Sequence, residues 1–298
     1  MQQQELIHFK KERDLGEILS DTFKFIRLNY KPLIKVIVRA VGPVMLVMLL
    51  SYFAYNFIVL KGSNGFLSAE FEKNISELTS KFAVTFFLGM VFIIVVSVLF
   101  YAIFYAAINF SVQSYIENNG EIKVEEVTEQ VKYNWMSFFG LAFLAGMLMM
   151  AGMIFCVIPA VYLFVPLSLV FSIMVFNNMG ITESLGYSFK LIKNNWWMSF
   201  LILFLMMIIY YIGASVFQIP AMIYTLIRTM ISVGSSASIS FSNIYDWPYF
   251  VLSLLGSLAQ FVLYVFFIVS TVFLFFSLDE KHNQTGAFEA IKNLGREE

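Results

Sequence analysis

The sequence predicts an all-α integral membrane protein with six transmembrane helices arranged as three parallel helical hairpins, each preceded by a cytoplasmic amphipathic helix. Three observations carry that prediction. Of the 298 residues, 59% are hydrophobic and only 13% charged, with a mean hydropathy of +0.78, whereas soluble domains carry roughly a quarter charged residues. Apolar runs near or above the roughly 20 residues that cross a bilayer recur between short polar connections. An amphipathic unit near the start of the chain, Glu17–Tyr30 (EILSDTFKFIRLNY), returns at Glu183–Trp197 (ESLGYSFKLIKNNWW), and each copy immediately precedes an apolar run.

Superposing the two copies pairs Leu19 with Leu185, Phe23 with Phe189, Lys24 with Lys190, Ile26 with Ile192, Arg27 with Lys193, Asn29 with Asn195 and Tyr30 with Trp196. Leu19, Thr22, Phe23, Ile26 and Tyr30 fall on one face of a helix, and the charges fall on the other. The first set is therefore the expected buried face. The aromatic at the end of each copy sits where Trp and Tyr favour the water–lipid boundary. A weaker third copy runs through Val124, Val127, Val131 and Trp135, and its Trp-Met-Ser-Phe at Trp135–Phe138 recurs at Trp197–Phe200.

Asp14 and Glu17 have the spacing of a capping box for the first amphipathic helix, and Pro32 marks a corner after it. The expected spans cover about 33–60, 82–112, 138–157, 162–176, 198–218 and 250–278, within one polytopic membrane domain over 1–298. Gly42-Pro43 should kink the first span. Phe71, Ile75, Leu78 and Phe82 have helical spacing, so the second helix should begin before its apolar part, and Asn118-Asn119-Gly120 should stop it. Pro159 marks a tight outer turn, and Pro166 a kink in the fourth span. Pro220 ends the fifth and leaves 220–231 as an interfacial segment with Arg228 toward water. An outer loop follows over Gly234–Asp246, and Phe288, Ile291 and Leu294 suggest a short amphipathic tail helix.

Lys and Arg concentrate on one side of this arrangement. Lys10, Lys11, Arg13, Lys24, Arg27 and Lys31 head that set, against Lys61, Lys73, Lys81 and Arg228 on the other. Positive residues favour the cytoplasm, so both termini and the Asn177–Trp196 connection are expected there. The residues MQQQELIHFKKERD lack an apolar core and a small-residue cleavage site, so the first span should double as the targeting signal. The expected location is the cell's inner, cytoplasmic membrane.

No enzyme, cofactor or metal is expected. The two histidines, His8 and His282, lie in tails far apart in sequence, and there is no phosphate loop, no GxSxG and no pair of carboxylates within a span. Cys156 lies alone in an apolar run. A formal charge of -1 advertises no nucleic-acid partner. Polar residues at membrane depth are Arg39, Asn56, Asn109, Gln113, Gln218 and Gln260, and the amides there are expected to join helices. Arg27, Lys31, Lys35 and Arg39 recur at four-residue steps, and Lys190 and Lys193 occupy the matching place in the later copy. These six are the candidate contacts for anionic lipid headgroups or an acidic partner surface.

Residues Arg13-Asp14-Leu15-Gly16-Glu17-Ile18-Leu19 and Phe23–Tyr30 resemble the opening of a bacterial family named for the membrane domain of glycerophosphoryl diester phosphodiesterase. Tyr162–Phe176, Glu183-Ser184-Leu185 with Phe189–Trp197, and Phe276–Lys281 with Gly286 and Gly295 extend the resemblance over most of the chain. It implies a membrane fold and little chemistry. In that family the phosphodiesterase activity belongs to a separate soluble domain, for which this chain has no room, and many relatives consist of the membrane part alone. The expected function is therefore a non-enzymatic scaffold or accessory subunit whose partners are membrane lipids, anionic ones included, and other membrane proteins. The alternative is a transporter or permease for a small molecule or lipid, suggested by the prolines in spans and the amides at depth.

Overall fold

The structure, a computed structural model, describes residues 6–66, 75–155, 157–234 and 246–284. Every regular element among them is helical: α1 (Leu15–Val36), a π-helical segment (Ile37–Val41), α2 (Gly42–Phe66), α3 (Ile75–Glu117), α4 (Val124–Phe155), α5 (Val157–Phe176), α6 (Ile181–Ile192), α7 (Trp196–Gly234) and α8 (Trp247–Asn283). Among the described residues six stretches are long and apolar enough to cross a membrane: Leu15–Tyr55, Ala83–Glu117, Val124–Phe155, Val157–Phe176, Trp196–Ile231 and Trp247–Asn283. By length and composition the chain is a multi-pass helical membrane protein. The expectations for Cys156, for the side chains of Asn56, Lys61, Lys73 and Lys81, for the loop between Gly234 and Asp246 and for the tail helix lie outside the described residues.

Several prolines act differently from expectation. Pro32 lies inside α1 and Pro220 inside α7, so Pro32 makes no corner and 220–231 is no separate segment, whereas Pro166 lies within the fourth span, as expected. Proline removes one backbone donor and crowds the carbonyl four residues back. In apolar surroundings, ending the helix would orphan many more polar groups than that. Ahead of Pro43 the helix widens instead. The Gly42 N–H donates to Ile37 O, five residues back, and such a π turn makes room for the ring without breaking the helix.

The chain forms two compact units. One consists of Pro43–Phe100 and Tyr211–Leu263. There Phe53 meets Phe250 with ring centroids 5.1 Å apart, and Arg228, its side chain 40% exposed, is also tied to its neighbours. Its guanidinium pairs with Asp246, and its Nε donates to the Tyr224 hydroxyl at 3.1 Å. That hydroxyl lies 2.7 Å from each Asp246 carboxylate oxygen. Desolvation pushes the Asp246 carboxyl up, but the bonds from Arg228 and Tyr224 outweigh it and hold it below the usual carboxylate range.

The other unit consists of Met1–Gly42, Tyr101–Tyr210 and Tyr264–Glu298. Its interior is aromatic. Tyr105 stacks on Phe171 at 4.5 Å, and Phe138 packs against both Phe171 and Phe110. Asn109, fully buried, donates to Tyr105 O at 2.9 Å and accepts from Ser172 Oγ at 3.0 Å, so it joins α3 to α5. The expected stop after α3 is present: Asn119 and Gly120 have φ of 50° and 98°, and the Gly120 N–H closes on Tyr115 O at 2.8 Å. Only glycine suits Gly120, because a Cβ there would stand 2.5 Å from Leu6 Cδ2 in addition to the strained φ.

The repeat is visible in this unit, but with a different buried face. α1 buries Ile18, Thr22 and Phe25, and α6 buries Ser184, Ser188 and Leu191. These are equivalent positions under the same pairing. The Glu17 carboxylate accepts from the Asp14 N–H at 3.3 Å, and Glu183 accepts from the Gly180 N–H at 3.1 Å, so the two helices also start alike. Thr22 and Ile192 are buried as expected, but Phe23 and Tyr30 are 55% and 49% exposed, so the buried face is turned away from the one expected through Leu19, Thr22, Phe23, Ile26 and Tyr30. Apolar periodicity cannot separate a lipid-facing side from a protein-facing side, because lipid tails are as apolar as a core.

A second correction concerns the turn after α4. The turn is tight: a Cβ on Gly152 would lie 3.1 Å from both Ala160 Cα and N. α6 then folds back along α5, and the Trp196 indole donates to Tyr162 O at 3.2 Å while stacking on the Tyr162 ring. The start of α5 and the α6–α7 junction are thus neighbours. They cannot face opposite sides of a hydrocarbon layer about 30 Å thick, so an outer turn at Pro159 and a cytoplasmic 177–196 connection are not both present. In a Cys156→Ser background, Ile158→Cys and Asn194→Cys should be labelled from the same side by a membrane-impermeant maleimide. Labelling from opposite sides would refute the neighbourhood.

Candidate functional site

The six basic residues singled out in the sequence divide into two kinds. Arg39 is committed: its guanidinium donates to Glu125 Oε1 at 2.5 Å, which joins the π segment to the start of α4. It is not a lone cation at membrane depth. Arg27, Lys31, Lys35, Lys190 and Lys193 are all exposed, and no ion pair holds them among the described residues. Lys31 lies 5.9 Å from the centre of the neighbouring Tyr30 ring, and Lys35 is close enough to Glu125 to act on it electrostatically. No ion pair or hydrogen bond among the described residues connects the α1 set to the α6 pair.

Lys193 belongs to the larger feature, a groove of about 810 Å³ between the start of α5 and the α6–α7 junction. This volume is within the usual range of about 300–1,000 Å³ for ligand pockets. One wall is aliphatic, formed by Val157, Ile158 and Val161, which are 70%, 77% and 37% exposed. The facing wall is residues 193–198 with Phe200. It is built on a ladder of rings, with Tyr162 stacked on Trp196 at 5.7 Å, Trp196 on Phe200 at 5.2 Å and Phe200 on Phe204 at 5.6 Å. Polar groups collect at one stretch of the lining, Lys193-Asn194-Asn195. The Lys281 ammonium of α8 donates to Asn195 Oδ1 at 2.9 Å, so a second cation borders that stretch. No carboxylate lines the groove among the described residues.

α6 is anchored where it meets α8. The Tyr187 hydroxyl donates to Asp279 Oδ1 at 3.3 Å and accepts from Asn283 Nδ2 at 2.8 Å, and burial raises its pKa above the ordinary phenol. A smaller pocket of about 250 Å³ opens beside Asn134, Ser137 and Asn178, near the start of α6. Among the described residues no group of three or more His, Cys, Asp or Glu could hold a metal ion.

Sequence inspection did not find Arg13 as a structural centre. Its side chain is 1% exposed, and its Nε donates to Asp21 Oδ2 at 2.8 Å. One terminal nitrogen reaches Phe9 O at 2.6 Å and Lys11 O at 3.1 Å, and the other reaches His8 O. The guanidinium also lies over the Phe273 ring at 4.9 Å. The Arg13 backbone exchanges two hydrogen bonds with Ser277 Oγ. Phe9 stacks on Phe273 with centroids 4.7 Å apart. The sequence signal was only the adjacency of Arg13 to the Asp14 cap.

The fold and groove define a polytopic helical membrane protein with an amphipathic, cation-bordered surface cleft. No protein-family model, no curated protein and no solved structure matches the chain.

Proposed function

We propose that the chain is a non-enzymatic scaffold or accessory subunit of the inner, cytoplasmic membrane that binds anionic lipid and, beside it, other membrane proteins. The observation that carries this is the set of five exposed cations, Arg27, Lys31, Lys35, Lys190 and Lys193, none held by an acid among the described residues. Arg27 and Lys193 occupy equivalent positions of two helices that start alike and bury equivalent residues. A leaflet rich in anionic headgroups attracts such residues, and the attraction fades with salt.

Both termini lie in the cytoplasm on this reading, in keeping with the Lys and Arg distribution. The helices form three hairpins, α2–α3, α4–α5 and α7–α8, introduced by α1, the first turns of α4 and α6. The α4–α5 pair departs from a simple crossing, because its turn shares a side with the α6–α7 junction. The resemblance to the membrane domain of glycerophosphoryl diester phosphodiesterase fits a membrane part acting without catalytic groups. A transporter would need polar groups open to a path, whereas Asn109 is engaged by Tyr105 and Ser172 and Gln113 by Glu117.

Lys31→Gln combined with Lys35→Gln should lower retention of anionic lipid in native mass spectrometry by about fivefold per residue. Arg39→Gln should leave retention unchanged, because its charge already serves Glu125. Unaltered retention in the double variant would reduce the basic set to an orientation signal.

A further inference from the structure

We infer that the groove between the start of α5 and the α6–α7 junction holds one anionic phospholipid, its phosphate at Lys193 and Asn194 and an acyl chain along Val157, Ile158 and Val161. This deepens the lipid-binding proposal and rests on it for the membrane setting only.

The lining itself specifies this occupant. Three aliphatic side chains on α5 are left uncovered by protein, a surface that takes hydrocarbon. Across from them Trp197 and Met198 are 77% and 51% exposed, while Trp196 is held in the ring ladder and by its bond to Tyr162 O. The wall is therefore fixed at Trp196 and open at Trp197 and Met198. Charge is one-sided: Lys193 is free of any acid among the described residues, Lys281 approaches through Asn195, and none of the described lining residues is a carboxylate. α6 ends at Ile192 and α7 begins at Trp196, so the opposed dipole ends of the two helices offset each other there, and the field rests on the two lysines. A neutral acyl chain alone would leave the cations unanswered, and a soluble anion would leave the aliphatic wall uncovered. A phospholipid with net negative charge satisfies both.

The test uses the full chain in vesicles, with Trp135→Phe and Trp247→Phe so that emission comes from Trp196 and Trp197. Brominated-acyl phosphatidylglycerol should quench that emission at about one-fifth the mole fraction needed with brominated-acyl phosphatidylcholine, the preference one cation near an anionic headgroup supplies. Lys193→Gln should erase the preference, and Val161→Asp should weaken quenching by both lipids. Lys31→Gln with Lys35→Gln should leave the preference intact, so a failed basic set on α1 and a failed groove give different results. Equal quenching by the two lipids in the parent protein would overturn the inference, as would a preference that survives Lys193→Gln. Absence of quenching by either lipid would overturn it in favour of a protein occupant, a second copy included.

Discussion

Replacing Arg13 by Ala should lower the stability of the folded protein by about 3 kcal/mol, the low end of the loss for a buried ion pair, because Asp21 stays 26% exposed. The guanidinium is almost wholly enclosed and serves Asp21 and the carbonyls of His8, Phe9 and Lys11 together. Without it Asp21 and the carbonyls of His8 and Lys11 lose this donor, while Phe9 O keeps only the Lys11 N–H. Lys cannot substitute, because one ammonium does not match a planar fork aimed at several acceptors. Thermal unfolding in mild detergent measures the loss, and limited proteolysis should show cleavage within residues 6–12 in both Arg13→Ala and Arg13→Lys. An Arg13→Lys protein as stable and as protected as the parent would mean that the fork geometry is unimportant.

The second large effect separates two neighbouring phenylalanines. Phe25 is fully buried against Phe9, Tyr115 and Phe273, so Phe25→Ala should cost about 3–5 kcal/mol. Phe23 is 55% exposed and has its ring near Phe266, so Phe23→Ala should cost about 0.5 kcal/mol, as exposed positions do. Apolar periodicity alone ranks the pair in the opposite order. Equal losses in the same unfolding assay would restore the face through Leu19, Phe23 and Ile26 as the buried one.

That contrast indicates what was legible before the structure. Helix number followed from hydropathy, since a run of apolar residues in a chain with few charges has little alternative to a span. The stop at Asn118-Asn119-Gly120 and the cap at Asp14 and Glu17 were legible because each is a local device whose partners lie within a few residues. The burial face of α1 was not, because both of its sides meet apolar surroundings. The prolines misled for a related reason, since their cost depends on what surrounds the backbone. Of the candidate site, Lys193 and the repeated aromatic at Trp196 were visible. The aliphatic wall of the groove was not, because Val157, Ile158 and Val161 read simply as span residues until α6 is seen to fold back along α5. Arg39 was overvalued for want of Glu125, which lies 86 residues away.

The bonds between Arg13 and Ser277 span 264 residues of chain. At the usual synthesis rate of about 5–20 residues per second, Phe9 and Arg13 wait roughly 15–50 s for Phe273 and Ser277. During that interval Phe9 has no Phe273 to stack on, and Arg13 lacks the ring and the hydroxyl that later enclose it. Docking of this segment therefore coincides with completion of α8. Its full protection reports that α8 has arrived, and a chain stalled before α8 leaves Phe9 with only Phe25 and Tyr115 beside it and Arg13 without its ring and hydroxyl, open to any protease or chaperone that surveys nascent membrane proteins.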